Sequence, residues 1–200
     1  MDNDKYKTIK ASSTGIYKEK GSKFMAFAYP IVDEEEAKII VAQLKKEYFD
    51  ARHHCYAYRI SADGATFRMN DDGEPSSTAG RPIYGQMLSF DVTNIIIVVI
   101  RYFGGTKLGT SGLINAYKIA AADALKNAEI IEKIEEKTIT FDFSYAVINN
   151  IMKLMKDEKI EIAQQNLELS CNMKINVPKS KTAEVCEKLL KIESVIIVES

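Results

Sequence analysis

The stretch NIIIVVIRYFGGTKLGTSGLINAY, residues 94–117, decides how the first half of the chain folds. Asn94 to Ile100 is continuously aliphatic and β-branched, which reads as a strand buried on both faces. Gly104 to Gly112 is loop, and an alanine-rich helix follows from about Ser111 to Ala128. A strand, a glycine-rich loop and a helix in that order leave backbone N–H groups and a helix dipole where an anion can rest. The loop is not of the Walker type, because Lys107 does not follow the last glycine and is not followed by Ser or Thr. A close-packed, glycine-dependent turn is the favoured reading, with anion binding at Arg101, Gly104, Gly105, Lys107 and Gly109 as its alternative.

Upstream, Phe24 to Pro30 reads as a strand ended by proline. Asp33 precedes a helical stretch to about Tyr48 with Ala37, Ile40, Val41 and Leu44 on one face. His54 to Ile60 and Thr66 to Met69 are short aromatic-rich runs separated by Ser61-Ala62-Asp63-Gly64, a hairpin in which Asp-Gly supplies the turn. Asp71 to Pro82 is a long loop, and Ile83 to Phe90 a short helix. Glycine marks the internal boundary: eight of the ten lie between Gly64 and Gly112, and none follows. The charged stretch Glu129 to Lys137 is either a linker or, through Ile130, Ile131 and Ile134, a strand running into the second half. From Thr138 the pattern is strand, helix, strand, strand (Leu169 to Val177), helix (Thr182 to Leu190), strand (Ser194 to Glu199), the β-α-β-β-α-β order of a ferredoxin-like domain. The expected fold class is α+β, with domains at residues 1–132 and 133–200.

Composition narrows the function classes. With 46% hydrophobic and 28% charged residues the chain has the material for a real core. Lys plus Arg is 27 against 28 Asp plus Glu, so no global field draws it onto phosphate backbones; DNA is not expected, and any RNA contact must be local. Cys55, Cys171 and Cys186 form no pair at metal-ligand or redox spacing and fit a reducing, cytoplasmic setting. The polar N-terminus and the short run Ile95 to Ile100 indicate neither export nor membrane insertion.

Two motifs invite chemistry. Asp71-Asp72-Gly73-Glu74-Pro75-Ser76-Ser77-Thr78-Ala79-Gly80-Arg81-Pro82 carries three acids, but it lacks calcium-loop spacing, and turn and cap architecture is favoured over a metal site. Arg52-His53-His54-Cys55 offers an imidazole beside a thiol. On a strand, however, His53 and Cys55 share one face and His54 and Tyr56 the other, and no further histidine completes a site. No nucleophile elbow, dinucleotide fingerprint or zinc helix is present, so no catalytic residue, cofactor or metal is assigned.

Together, Lys20-Gly21-Ser22-Lys23-Phe24, the strand Arg52 to Arg59, DDGEPSSTAGRPI from Asp71 and VVIRYFGGTKLGTSGLINAY from Val98 resemble the characteristic segments of the IMPACT family, in family order and spacing. The resemblance covers about the first 125 residues; the second half is similar in pattern to the small C-terminal domain of bacterial, YigZ-like members. It implies a first domain of the ribosomal-protein and elongation-factor-domain-IV type and a second similar to the last domain of elongation factor G. It further implies a non-enzymatic regulator connected with translation, because eukaryotic members compete for the co-activator of a starvation-responsive initiation-factor kinase. Bacterial members lack that circuit, so their partner is open; the ribosome, RNA or a translation-associated protein is the expected one here. The sequence departs from the family pattern at Ser77, where glycine is common, at Ile100, where threonine often stands, and at Asn115, where arginine is frequent. The expected partner- or anion-binding surface comprises His54, Tyr56, Asp71, Asp72, Glu74, Arg81, Arg101, Gly104, Gly105, Lys107 and Gly109. The alternative is a small hydrolase or phosphotransferase using Cys55 with His53 or His54, or a metal on the Asp71 to Glu74 loop.

Overall fold

The computed structural model describes residues 4–168 and 170–199, and within it the chain forms an α+β protein of two compact units. One unit is Tyr6–Lys133; the other takes residues 134–199 together with residues 4 and 5.

The centre of the first unit is β6 (Ile95–Tyr102). It lies between β3 (Ser22–Pro30) and β4 (His53–Ile60) in a five-stranded sheet of order β2-β3-β6-β4-β5, where β2 is Ser13–Glu19 and β5 is Thr66–Asn70. Every neighbouring pair is antiparallel, so the continuous aliphatic run arises from burial on both faces and not from parallel pairing. Ile95, Ile97 and Val99 face one core with α2 (Gly80–Ser89) and α3 (Gly109–Lys126). Ile96, Val98 and Ile100 face a second core with Ala37 and Leu44 of α1 (Glu34–Glu47). Each such isoleucine contributes about 1.5–3 kcal/mol by leaving water.

The helix that begins after Asp33 is capped as its sequence predicts. The Glu36 N–H donates to the Asp33 carboxylate at 2.8 Å, while the Glu36 carboxylate accepts from the Val32 N–H at 2.9 Å. Three glutamates in the first turn and Lys45 and Lys46 in the last complement the helix dipole. The two helices on the other face start earlier than expected, at Gly80 and Gly109 instead of Ile83 and Ser111. Helix capping explains the first difference, because Asp71 accepts the Ala79 and Gly80 N–H groups from outside the helix.

Strands β1 (Lys5–Ile9) and β2 were not evident in the polar N-terminal sequence. Strand β1 pairs with β7 (Ile130–Ile134), which settles part of the charged stretch before Lys137 as strand; no local pattern reveals a partner more than a hundred residues away. In β2, Gly15 lies where α3 passes closest: a Cβ there would stand 2.2 Å from the Ala124 backbone nitrogen.

The second unit runs β8 (Glu136–Phe143), α4 (Ile148–Glu158), β9 (Glu161–Asn166), β10 (Cys171–Pro178), α5 (Thr182–Leu190) and β11 (Ile196–Glu199). Its antiparallel sheet has the order β11-β8-β10-β9. The strand expected from Leu169 begins at Cys171, and Leu169 itself lies outside the described residues. Ile139, Phe141, Met173, Ile175 and Val177 alternate inward against Ile151, Met155, Val185 and Leu189. On the other face Asn172 stands opposite Asp142, Lys174 opposite Thr140 and Asn176 opposite Thr138.

Replacing Gly15 by alanine should lower stability by about 1–3 kcal/mol, since the clash is with backbone that cannot rotate away. Urea titration checks this, and an unchanged midpoint would show that α3 yields freely.

Candidate functional site

The aliphatic run of β6 ends in a charge, and the first unit is organised around it. Arg101 is the next residue after Ile100 to face the helix side, and its side chain is only 8% exposed. Its Nη1 donates at 2.6 Å to Glu74 Oε1, on a carboxylate 3% exposed, and the same oxygen accepts from the Tyr117 hydroxyl at 2.8 Å. The guanidinium lies between two rings, 5.5 Å from the centroid of Phe24 and 5.6 Å from that of Phe103. Its Nε is buried without a hydrogen-bond partner.

The acidic loop is held by its own carboxylates. Asp71 accepts from the N–H groups of Ser77 at 2.8 Å, Ala79 at 3.0 Å and Gly80 at 2.9 Å. Asp72 accepts from Lys45 Nζ at 2.8 Å and from the His54 N–H at 2.7 Å. Burial works against the Asp72 carboxylate, but these two donors outweigh it and hold its pKa below the usual value. Turn and cap architecture thus accounts for Asp71, whereas Asp72 ties the loop to Lys45 and β4, and Glu74 is held in the buried ion pair. Among the described residues no cluster of three or more His, Cys, Asp or Glu is arranged to hold a metal ion.

The two histidines part company as strand alternation requires. His54 is buried on the α1 side, its Nε2 3.1 Å from the Tyr48 carbonyl, and burial pulls its pKa below 6.5. His53 is half-buried on the opposite side, with Nδ1 2.9 Å from the Asp72 carbonyl, so the proton on that nitrogen donates there. Cys55 is 0% exposed, with Sγ 2.9 Å from the Asp71 carbonyl oxygen and 3.3 Å from the Tyr117 hydroxyl. Burial pushes its thiol far above the ordinary range, which makes it an inert core group and leaves no activated nucleophile beside either histidine.

Above the ion pair opens a cleft of about 490 Å³, a volume within the range that holds small ligands. Arg52, His53, Glu74, Arg101, Phe103 and Lys107 line it, together with the start of α3 at Gly109 and Thr110. That helix has no side-chain cap and no acid in its first turn. Of the residues expected to form one surface, Glu74, Arg101, Lys107 and Gly109 line the cleft, and Asp71 and Asp72 hold the loop beneath it. His54 and Tyr56 face α1 instead; Tyr56 lines a smaller groove of about 230 Å³ with Lys38, Lys45 and Arg68. Arg81 is exposed on the first turn of α2, away from the cleft. Gly104 packs against the Gly21–Ser22 backbone, where a Cβ would meet Gly21 at 1.9 Å, and Gly105 takes a positive φ of 87°. Both serve the turn. Asn115 is exposed and does not line the cleft, so the departure from arginine there leaves the lining cations unchanged. Arg52, His53 and Phe103 line the cleft but are not among the residues expected at the binding surface; His53 is named only for the hydrolase alternative, and the sheet register sets it opposite Arg101.

Fold and site together define a two-unit α+β protein with a cationic cleft in its first unit. Residues 20–125 match the Impact N-terminal domain, and the chain belongs to the IMPACT family. It is 32% identical over 181 residues to IMPACT family member YigZ of Escherichia coli (strain K12), which covers 90% of this chain and 89% of that protein. Over 96 residues it is 40% identical to Protein IMPACT homolog of Saccharomyces cerevisiae (strain ATCC 204508 / S288c), covering 46% of this chain and 36% of that protein. A crystal structure of a hypothetical protein matches with a TM-score of 0.73 at 29% identity, covering 98% of each chain.

Ser77, where the family often has glycine, has a φ of +64°, in the left-handed region. Ser77→Gly should raise stability by about 0.5–1 kcal/mol, read as a higher denaturant midpoint; a lowered midpoint would mean the side chain contributes more than the strain costs. The depressed His54 pKa sets a pH dependence. The unfolded chain takes up this proton near 6.5 and the folded chain resists it, so the contribution is full above that pH and is lost as the pH falls. The thermal midpoint should therefore drop from about pH 7 to about pH 5, and His54→Gln should flatten that slope.

Proposed function

We propose that this protein is a non-enzymatic regulator connected with translation, which acts in the cytoplasm by presenting the cleft of its first unit to the ribosome, RNA or a translation-associated protein. The observation that carries this reading is the cleft itself: Arg52, Arg101 and Lys107 meet an uncapped helix start, and the single carboxylate in the lining, Glu74, is already paired with Arg101. Such a surface attracts and orients anionic groups without transforming them. Family membership supports the translational setting. The β-α-β-β-α-β order of the second unit supports a ferredoxin-like domain similar to the last domain of elongation factor G, and the first unit is read as the ribosomal-protein and elongation-factor-domain-IV type. No helix among the described residues is long and apolar enough to cross a membrane. The hydrolase reading loses its nucleophile with the burial of Cys55.

Co-sedimentation with ribosomes at two salt concentrations tests the proposal. The exposed cations Arg52 and Lys107 are the informative sites, since Arg101 is buried and its removal would strand Glu74. Wild-type protein should pellet with ribosomes at low salt and detach at high salt, and Arg52→Ala with Lys107→Ala should weaken the association and flatten the salt dependence by about 0.7–0.9 in log–log slope per lost phosphate contact. Ribosome binding that ignores salt and both substitutions would remove the cleft from the function.

A further inference from the structure

We propose that the cleft is a nucleotide site, binding a 5′-phosphate monoester at the start of α3 with the base against Phe103. The inference rests on the cleft being the functional surface and names the chemistry it recognises.

Two independent observations point to a phosphate. The first N–H groups of the 18-residue helix α3 have no side-chain cap, and Gly109 and Thr110 at its start line the cleft together with Lys107. Separately, the Arg101 guanidinium lines the same cleft while its buried Nε has no hydrogen-bond partner. A guanidinium with an unused donor, standing at the wall of a cleft, is stabilised by an anion that enters it. The charge balance favours an anion, because Arg52, Arg101 and Lys107 face Glu74 as the lone lining carboxylate.

The rest of the lining describes what the phosphate is attached to. Phe103 is 57% exposed, with one contact already made to the Arg101 guanidinium, and Pro75, Leu108 and Leu113 make much of the remaining wall apolar. A planar body fits such a wall by stacking, which is how aromatic side chains hold bases without reading their identity. Arg52 and the His53 ring add polar groups that a nucleobase edge or ribose hydroxyl can pair and that a phenyl ring would leave unsatisfied. A nucleotide therefore suits the cleft better than a phosphotyrosine side chain. On the sheet of the second unit, the paired outward positions of β8 and β10 are Thr138, Thr140, Asp142, Asn172, Lys174 and Asn176, with no ring to stack on.

Calorimetric titration of the full chain with AMP, adenosine, phosphotyrosine, and a short single-stranded RNA carrying either a 5′-phosphate or a 5′-hydroxyl tests this. AMP should bind at least about tenfold more tightly than adenosine. Lys107→Ala should weaken AMP binding about tenfold, Phe103→Ala and Phe103→Leu should do so by about tenfold and less than that respectively, and Lys174→Ala in the second unit should change nothing. Circular dichroism confirms that each variant is folded. Tighter binding of the 5′-phosphorylated RNA than of AMP assigns the site to an RNA end, and the reverse assigns it to a free nucleotide; either supports the proposal. Absence of binding by both, indifference to Lys107 and Phe103, or a preference for phosphotyrosine overturns it. If ribosome association remains salt-sensitive and Lys107-dependent while both phosphates fail to bind, only the nucleotide assignment falls; if that association is also absent, the cleft reading falls with it.

Discussion

One carboxylate oxygen, Glu74 Oε1, joins the loop after β5, the central strand through Arg101 and the helix α3 through Tyr117. All three groups are buried, and a buried ion pair broken on one side leaves an uncompensated charge that costs about 3–5 kcal/mol. The pair is thus a constraint on geometry more than a source of net stability. Arg101 can enter the apolar interior because Glu74 meets it there, and Glu74 can leave water because Arg101 and Tyr117 replace its hydration. The rings of Phe24 and Phe103 both lie within cation–π reach of the guanidinium.

From that constraint the cleft follows. The loop 71–79 is tied to the sheet through Glu74 and to the start of α2 through Asp71, so these two acids serve as scaffold for the wall of the cleft. The thiol that made a catalytic reading attractive is absorbed into the same network, 3.3 Å from the Tyr117 hydroxyl. A site built in this way sets the Arg101 guanidinium beside the Phe103 ring and keeps the Cys55 thiol in the core.

The second unit is of a different kind. Its core is a regular alternation of apolar residues on β8 and β10, the paired outward positions of those strands are polar or charged, and its helix α5 carries the Glu184–Lys188 pair on a solvated face. Both Lys188 contacts, to Glu184 and Glu158, lie at the surface, where such pairs contribute little.

The sequence by itself determined what local periodicity and turn chemistry encode. The buried strand at Ile95, the capped helix after Asp33, the hairpin at Gly64, the β-α-β-β-α-β order after Thr138 and the split of His53 from His54 all follow from residue spacing within one or two elements. Tertiary structure alone decided which of the marked residues meet. The strand β1 needed a partner across the length of the first unit, and helix α2 began early because Asp71, outside the helix, satisfies its start. Likewise Glu74 and Arg101, 27 residues apart, could each be read as surface charges until folding placed them together inside. The reason is physical: periodicity reports which side of an element a residue faces, whereas a binding site depends on which other element lies opposite that side.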